Sequence, residues 1–346
     1  MKYWREAFGE INGQTVWQYW LENRQGYQLA VTEYGATITH LVMPDQSGQM
    51  ANVVIGYDTL ADFVKQQAYF GATVGRVAGR IGQGAFTLDG HDYQAPINNG
   101  ANTNHGGPNS FESQIWQSSV VEKDDAISVV FMLTSPDGEN GFPGNLAVTT
   151  TYTLNEANEW LIDYQATTDK TTLFNPTCHV YLNLTGDFDQ FVGQHTLQID
   201  SDRFGAIQPD GLPTGELVPV AGSVFDLRQP RALQAAFDSE NTQTKLVGGF
   251  DHPFLLNQTP GKADAILRDP ESGRSITIDT EGNAIVIYTA NGFGDEPNLT
   301  NQAIQPHQAV AIEAQMMPDA IHHTEFGNIV LHPGEQYQRR TRYKLN

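Results

Sequence analysis

The sequence is short of cysteine, of basic residues and of long apolar runs. Cys178 is the only cysteine among 346 residues, which excludes an intrachain disulfide and a thiolate metal cluster. Lysine and arginine number 19 against 40 aspartates and glutamates, and this negative excess repels phosphate backbones and anionic lipids. No stretch approaches the roughly 18 apolar residues of a membrane helix, and the first residues lack a signal-peptide core. We expect a cytoplasmic protein with no nucleic-acid or membrane partner.

Alternation of apolar and polar side chains with a period of two dominates the chain from residue 115 onward. Strand-like runs such as AISVVFMLT and LAVTTTYTL are separated by turn sequences such as SPDGENGFPGN, which is typical of antiparallel sheet. Residues 27–43 predict a hairpin around Gly35, whereas helical spacing is confined to residues 58–70 and 231–238. A dozen or more strands with one or two short helices predict an all-β protein, a large antiparallel β-sandwich forming one domain over residues 1–346.

Residues 173–186, LFNPTCHVYLNLTG, predict one buried β-strand that carries a histidine. A strand would project His179 to one fixed face. Its imidazole, with an ordinary pKa of about 6.5, can give or take a proton near neutral pH. His179 is therefore either a hydrogen-bonded packing residue or a catalytic acid or base.

Four further polar residues lie in apolar or glycine-rich surroundings, and each has an ordinary alternative. Glu313 lies within the strand-like run AVAIEAQMM and could face solvent. His105 could cap a loop, and Arg80 could pair with a surface carboxylate. Asp251 could organise a turn, because residues 248–256, GGFDHPFLL, predict a loop. None of the four has an assigned role on its pattern alone.

Several common catalytic patterns are missing. The chain has no G-x-S-x-G motif, and Cys178 falls within the predicted strand, so nucleophilic catalysis has no support. There is no H-E-x-x-H spacing, and the glycines near residue 80 do not match a dinucleotide-binding motif. We expect neither a metal site nor a cofactor.

Several separated segments resemble the aldose 1-epimerase, or galactose mutarotase, family. GATVGRVAGRIGQGAFTLDGHDY and NNGANTNHGG resemble its arginine segment and histidine loop, which implies sugar binding by Arg80 and His105. NPTCHVYLNLTG resembles the strand that bears the family's catalytic acid, which falls on His179. FDHPF matches the segment of a sugar-binding aspartate, Asp251, and IEAQMMPDAIHH resembles the segment of the catalytic base, Glu313.

The resemblance implies a galactose mutarotase-like β-supersandwich, a monomer or homodimer, that interconverts the α and β anomers of a free aldose. Glu313 would remove the C1 hydroxyl proton while His179 protonates the ring oxygen, without a metal or cofactor. His179 must then be substantially protonated near neutrality, which an ionised Glu313 would favour and burial would oppose. The substrate would be of the galactose or glucose type, with maltose as a further candidate.

Four positions depart from the pattern of many family members: Gly79 and Cys178 replace asparagines, Leu182 an aromatic residue and Val286 a glutamine. We expect all four near the sugar pocket, where they leave the preferred sugar open. Two alternatives have the same fold: a hexose-6-phosphate 1-epimerase and a non-catalytic sugar-binding or sensor protein. A glycosidase with two carboxylates is less favoured, because His179 would have no function in it.

Overall fold

The structure is a computed structural model that describes residues 1–65, 68–294 and 305–346. Strands dominate these ranges, and their α-helices are three short segments, α1 (Leu60–Lys65), α2 (Gln234–Phe237) and α3 (Thr242–Val247). Among the described residues, no helix has the length and apolar character needed to cross a membrane. The ladders between strands are antiparallel throughout the sheets described below, which confirms the predicted all-β class.

The first sheet contains the N-terminal part of the chain. Within the described ranges its five strands are, in spatial order, β1 (Lys2–Ile11), β2 (Gln14–Glu22), β3 (Gln28–Thr32), β4 (Thr37–Pro44) and β5 (Met50–Asn52). β3 and β4 pair antiparallel across Gly35, whose φ of 68° is a conformation that glycine adopts without steric cost. The predicted hairpin is therefore confirmed.

The largest sheet brings together the middle and the end of the chain. Its nine described strands are, in spatial order, β12 (Gln117–Glu122), β13 (Ala126–Ser135), β14 (Leu146–Asn155), β15 (Glu159–Thr168), β29 (Tyr337–Leu345), β25 (Ser275–Thr280), β24 (Ala265–Arg268), β19 (Thr196–Ile199) and β22 (Arg231–Ala232). β29, the last strand of the chain, alternates buried and exposed side chains along its length, as expected for a sheet with one solvated face.

A third sheet carries the residues of most interest for function. Its seven described strands are, in spatial order, β21 (Pro213–Pro219), β20 (Arg203–Ile207), β23 (Asp251–Leu255), β26 (Ala284–Tyr288), β27 (Val310–Gln315), β18 (Tyr181–Leu182) and β6 (Val54–Ile55). β26 is buried at four of its five positions and β27 at every position. Both faces of the sheet are therefore covered at its centre.

Short two-stranded ladders in the described chain complete the architecture. They pair β7 (Thr73–Val74) with β17 (Thr177–Cys178), β8 (Arg80–Ile81) with β11 (Thr103–Asn104), β9 (Ala85–Leu88) with β10 (His91–Gln94), and β16 (Thr172–Leu173) with β28 (Val330–Leu331). One apolar cluster joins the three large sheets, with Val31 from the first, Ile162 from the largest and Ile312 from the third. Burial of this shared interior is the main stabilising contribution to the sandwich.

The helix predictions are confirmed in place and shortened in length. The pattern over residues 58–70 gives α1, which ends at Lys65; residues 66 and 67 lie outside the described part, and residues 68–70 are not helical. The pattern over residues 231–238 gives α2. α3 was not predicted, although the side chain of Asn241 caps its first turn by accepting from the Gln243 amide.

The loop predicted over residues 248–256 is wrong, because it contains β23. Pro253 has no N–H to donate, and proline is therefore uncommon inside a sheet. In the structure β23 pairs with β20 only at Leu255 and Phe254, so no bond to β20 is needed at Pro253. The opposite residue on β20 is Gly205, where an added Cβ would approach the Pro253 ring to 3.0 Å. A glycine thus makes room for a proline inside the sheet.

The prediction of one continuous strand over residues 173–186 is also wrong. The chain there makes three two-residue strands, and each pairs with a different partner: β16 with β28, β17 with β7, and β18 with both β27 and β6. His179 lies between β17 and β18, where the chain leaves one ladder for another. Pro176 lies between β16 and β17, where its missing N–H prevents a regular ladder.

The Trp160 side chain provides a test of the sandwich core. It is fully buried and stacks on Tyr343 of the neighbouring strand, with ring centroids 4.1 Å apart. We expect Trp160→Ala to lower the free energy of unfolding by about 3–5 kcal/mol, because it leaves a large cavity. The matched control is Trp4→Ala on the edge strand β1, where the side chain is 38% exposed and the loss should stay below about 1 kcal/mol. Urea unfolding measures both, and equal losses would contradict this assignment of the core.

Candidate active site

Three neighbouring strands of the seven-stranded sheet, β23, β26 and β27, form the floor of a concave site. In the ladders Pro253 lies opposite Val286, and Val286 lies opposite Glu313. Directly paired residues of an antiparallel sheet share one face. Asp251 lies opposite Tyr288 and faces the same side. The register alone therefore brings a carboxylate of β23 and a carboxylate of β27 onto one surface.

A cavity of about 290 Å³ lies over this surface, and all five residues singled out from the sequence line it: Arg80, His105, His179, Asp251 and Glu313. They come from segments far apart in the chain and from two kinds of element. Asp251 and Glu313 lie in sheet strands, whereas Arg80 and His105 come from the small ladder of β8 and β11 and the residues beside it. Five side chains from distant segments therefore meet in one space.

Arg80 and His105 are held by their local backbone. Asn104 pairs with Arg80 in the ladder, and the His105 amide donates to the carbonyl of Gly79. The Gly79 amide in turn donates to Nδ1 of His105 at 3.2 Å. The Arg80 guanidinium donates to Oδ1 of Asn99 and lies 4.0 Å from a carboxylate oxygen of Asp251. Both side chains therefore enter the cavity in defined orientations.

His179 and Glu313 contact each other at the base of the cavity. The distance between Nε2 of His179 and Oε1 of Glu313 is 3.4 Å, and the two residues are 5% and 4% exposed. Among the described residues, Nδ1 of His179 and Oε2 of Glu313 have no hydrogen-bond partner. The His179 ring lies among the rings of Tyr181, His105 and Tyr69, whose centroids are 4.9, 5.1 and 5.9 Å away.

Burial dominates the protonation of this pair. It lowers the pKa of His179 to about 4 and raises the pKa of Glu313 to about 8. The charge of Asp251 raises the pKa of Glu313 further, and Arg80 opposes it. Of the two opposing effects expected from the sequence, burial wins: His179 in the free site is neutral near pH 7, and the proton of the pair is on Glu313. Since the groups touch, they titrate as a pair that holds one proton between these pKa values.

The same cavity contains three groups that could be considered metal ligands. One side-chain atom each of His105, His179 and Glu313 lies within 4.8 Å of the other two. However, Nδ1 of His105 accepts the Gly79 amide proton, and burial holds the pKa of His105 well below its ordinary value. The neutral ring therefore carries its proton on Nε2, which makes this nitrogen a donor. A donor suits a hydroxyl oxygen and not a metal ion.

The expectation that four departures cluster at the pocket is half wrong. Gly79 and Val286 line the cavity, and Val286 lies directly opposite Glu313. Cys178 and Leu182 belong to the main apolar cluster instead. The reason is alternation, since His179 already faces the cavity and residues at odd spacing from it face the interior.

Sequence reasoning missed several residues that line the cavity. Tyr181 and Gln315 follow His179 and Glu313 by two positions, so the period of two could have found them. Gln315 is fully buried, and neither polar atom of its amide has a hydrogen-bond partner among the described residues. Tyr69 lies in an irregular segment with a φ of 57°, and no periodic pattern indicates it.

Glu313→Gln tests the protonation state of the pair through protein stability. The folded-state pKa of Glu313 is raised, so its contribution is full below the ordinary pKa of 4.5 and is lost as pH rises through about 8. The pKa of His179 is depressed, and its contribution changes only between pH 6.5 and about 4. Above pH 6.5, therefore, only Glu313 of the two acts. We expect the wild type to lose about 1–2 kcal/mol of stability relative to the variant between pH 6.5 and 8.

Urea unfolding of both proteins at the two pH values measures this difference. Subtracting the variant removes the contributions of other titrating groups that the two proteins share. A difference that does not change with pH would contradict a raised pKa for Glu313.

Known proteins resemble this chain over nearly its whole length. The family model described as aldose 1-epimerase matches residues 18–344. Similar curated proteins include the galactose mutarotase of Sus scrofa, 36% identical with 97% of this chain and 96% of that protein covered. The maltose epimerase of Levilactobacillus brevis is 34% identical with 99% of each covered, and the aldose 1-epimerase of Escherichia coli K12 is 34% identical with 94% of each covered.

Solved structures show the same architecture. The galactose 1-epimerase of Lactobacillus acidophilus NCFM superposes with a TM-score of 0.89 at 29% identity, covering 100% of this chain and 98% of that one. The aldose epimerase homologue from C. elegans gives 0.86 at 29% identity, covering 94% and 98%. These likenesses confirm the predicted galactose mutarotase-like sandwich. The chain belongs to the aldose 1-epimerase family, and it is an isomerase that interconverts the α and β anomers of a free aldose.

Proposed function

We propose that Glu313 is the base and His179 the acid of this interconversion. The observation that carries the proposal is their 3.4 Å contact, made by two buried groups in one cavity. Glu313 takes the proton of the C1 hydroxyl while His179 gives one to the ring oxygen, and the C1–ring-oxygen bond breaks. The C1 aldehyde turns about the C1–C2 bond, and the ring recloses on its other face with both transfers reversed.

The proton inventory of the pair fits this cycle. One proton is bound between the pKa values of about 4 and about 8. In the free site it lies on Glu313, whereas ring opening starts with it on His179. We propose that the proton passes between Oε1 and Nε2, which are 3.4 Å apart, so that the change needs no exchange with solvent. Each positioned proton transfer contributes about 10²–10⁴-fold to the rate, so two groups give substantial catalysis without a metal or cofactor.

Arg80, His105 and Asp251 are proposed to hold the hydroxyl groups of the sugar. The guanidinium and Nε2 of His105 donate, and the Asp251 carboxylate accepts, which matches the mixed donor and acceptor character of a hydroxyl. The three residues lie on segments other than those of His179 and Glu313, so the groups proposed for sugar binding and for proton transfer are positioned by different parts of the chain. The support is their common position in the lining of the cavity.

The proposed substrate is a free hexose of the galactose or glucose type. The relatives at similar identity include proteins named galactose mutarotase and maltose epimerase, so maltose is the further candidate. Gly79 and Val286 place no hydrogen-bonding side chain in the lining, which gives part of the sugar an apolar wall. Initial rates with α-glucose, α-galactose and maltose, measured by polarimetry, rank the three sugars.

Glu313→Gln and His179→Asn test the catalytic pair. We expect each to reduce mutarotation of freshly dissolved α-glucose or α-galactose by about 100-fold or more, with folding intact. His252→Asn is the control: His252 is a fully buried histidine beside Asp251 that packs against Phe225 and Phe204 on the other face. It should keep the wild-type rate per folded molecule.

A near-wild-type rate in either variant would remove that residue from its role. A wild-type protein that binds an aldose and accelerates the mutarotation of none would instead favour the non-catalytic sensor. An acid and base in contact argue against a sensor, since recognition alone needs no such pair.

Hexose 6-phosphates are disfavoured as substrates by the charge of the cavity. Among the described residues in its lining, Arg80 is the sole lysine or arginine, and it already lies near Asp251. Residues 295–304, outside the described part, contain no lysine or arginine in their sequence. We expect glucose 6-phosphate to inhibit glucose mutarotation at least about tenfold more weakly than galactose does, because an unpaired phosphate would face two carboxyl groups. Stronger inhibition by the phosphate would reverse the order of the two candidates.

We further propose a cytoplasmic enzyme that works as a monomer or homodimer without a nucleic-acid partner. Its single cysteine is buried and free, so the fold depends on no oxidising compartment. The formal net charge of -21 disfavours binding to phosphate backbones. Light scattering of the purified protein measures the number of chains.

A further inference from the structure

His179 lies next to Glu313 of β27, but it is not part of the ladder that its own segment forms with β27. The amide of His179 donates to Ala72, and its carbonyl accepts from Gly71, both at 2.9 Å. Both backbone groups of His179 therefore bind the Gly71–Ala72 segment and not β27. The ladder between β18 and β27 begins only at Tyr181, which lies opposite Ala311.

Extending that ladder by two positions would place His179 directly opposite Glu313. In an antiparallel pair one strand runs down as the other runs up, so 181 opposite 311 leads to 179 opposite 313. The two side chains therefore share a face and meet. Yet the ladder has ended before this pair, and the backbone hydrogen bonds of His179 do not fix the distance between the two residues.

On the other side of Glu313, side chains replace the missing backbone ladder between the His179 segment and β27. The Thr177 hydroxyl donates to the carbonyl of Ala314 at 2.9 Å, and Thr177 is 1% exposed. The Asn175 amide donates to the carbonyl of Met316 at 3.1 Å and accepts from its N–H at 3.0 Å. Asn175 therefore makes the two bonds that a paired strand residue would make with its backbone.

Arg339 in turn fixes the position of Asn175. Arg339, which is 4% exposed, donates to Oδ1 of Asn175 at 3.0 Å and to the carbonyl of Pro176. Because two N–H groups point at Oδ1, the amide has one orientation. The His179 segment is therefore tied to β27 on both sides of Glu313, by a backbone ladder on one side and by Thr177 and Asn175 on the other.

We propose that Thr177, supported by Asn175, is a positioning residue that fixes the separation of the proposed acid and base. The inference rests on the roles proposed above for His179 and Glu313. Thr177 does not line the cavity, so it acts through His179 and touches no substrate. Proton transfer requires hydrogen-bond reach, and a misplacement of about 1 Å can cost about 100-fold in rate.

Thr177→Val tests the inference, because it keeps the shape of the side chain and removes the hydroxyl. We expect kcat to fall about 10- to 100-fold while KM for the sugar stays unchanged, since Arg80, His105 and Asp251 lie on other segments. Thr177→Ser keeps a hydroxyl and should restore most of kcat. If the valine variant does not fold, Thr177→Ala removes the same hydroxyl and is measured in its place.

The matched control is Thr32→Val in the five-stranded sheet. Thr32 is fully buried, and its hydroxyl donates to the carbonyl of Trp17 at 3.0 Å, so the same chemical group is lost far from the site. We expect a similar loss of stability in urea with kcat unchanged. Wild-type kcat in folded Thr177→Val, or an equal loss of kcat in Thr32→Val, would overturn the positioning role.

The outcome is separable from that of the proposed function. If Glu313→Gln and His179→Asn are inactive while Thr177→Val is normal, only the positioning inference fails. If either of those two variants is active, the assignment of acid and base fails first, whatever Thr177→Val shows.

Discussion

The contact between His179 and Glu313 removes two ionisable groups from water at once, and the site is arranged around that constraint. An isolated buried charge costs several kcal/mol even after relaxation. The pair avoids the cost by holding a single proton, so that carboxyl and imidazole are both neutral in the free site. In the proposed mechanism each direction of ring opening also begins and ends with one proton on the pair. Stability and chemistry therefore favour the same proton count.

The sheet and the loops divide the remaining tasks. Regular pairing in the seven-stranded sheet places Asp251, Val286 and Glu313 on one face by register. Arg80 and His105, from the β8–β11 region, reach the same space, and a reciprocal pair of hydrogen bonds between Gly79 and His105 holds this region together. Neither element alone makes a site. The sheet gives the floor its fixed spacing, whereas the loop segment supplies donors that a continuous strand could not present.

Local patterns predicted much of this structure, and the failures share one cause. The period of two indicated the antiparallel class, and the family resemblance named the five residues that meet in the cavity. Alternation does not say which strand pairs with which, so the changes of partner around His179 were not predicted. β23 was not predicted for a similar reason. Pro253 fits inside the sheet because Gly205, on a distant segment, leaves room for its ring. The reversal of proton preference within the pair depends on burial, which only the assembled fold sets.

The lone cysteine gives the molecule an internal reporter. Cys178 precedes His179 directly, is 2% exposed, and has a thiol whose pKa burial raises to about 12. A thiol in that state reacts with alkylating reagents only when the segment around it opens. The rate of Cys178 modification therefore reports how often the chain opens at the position next to His179. The chain's own cysteine thus allows the motion of the His179 segment to be followed without an added label.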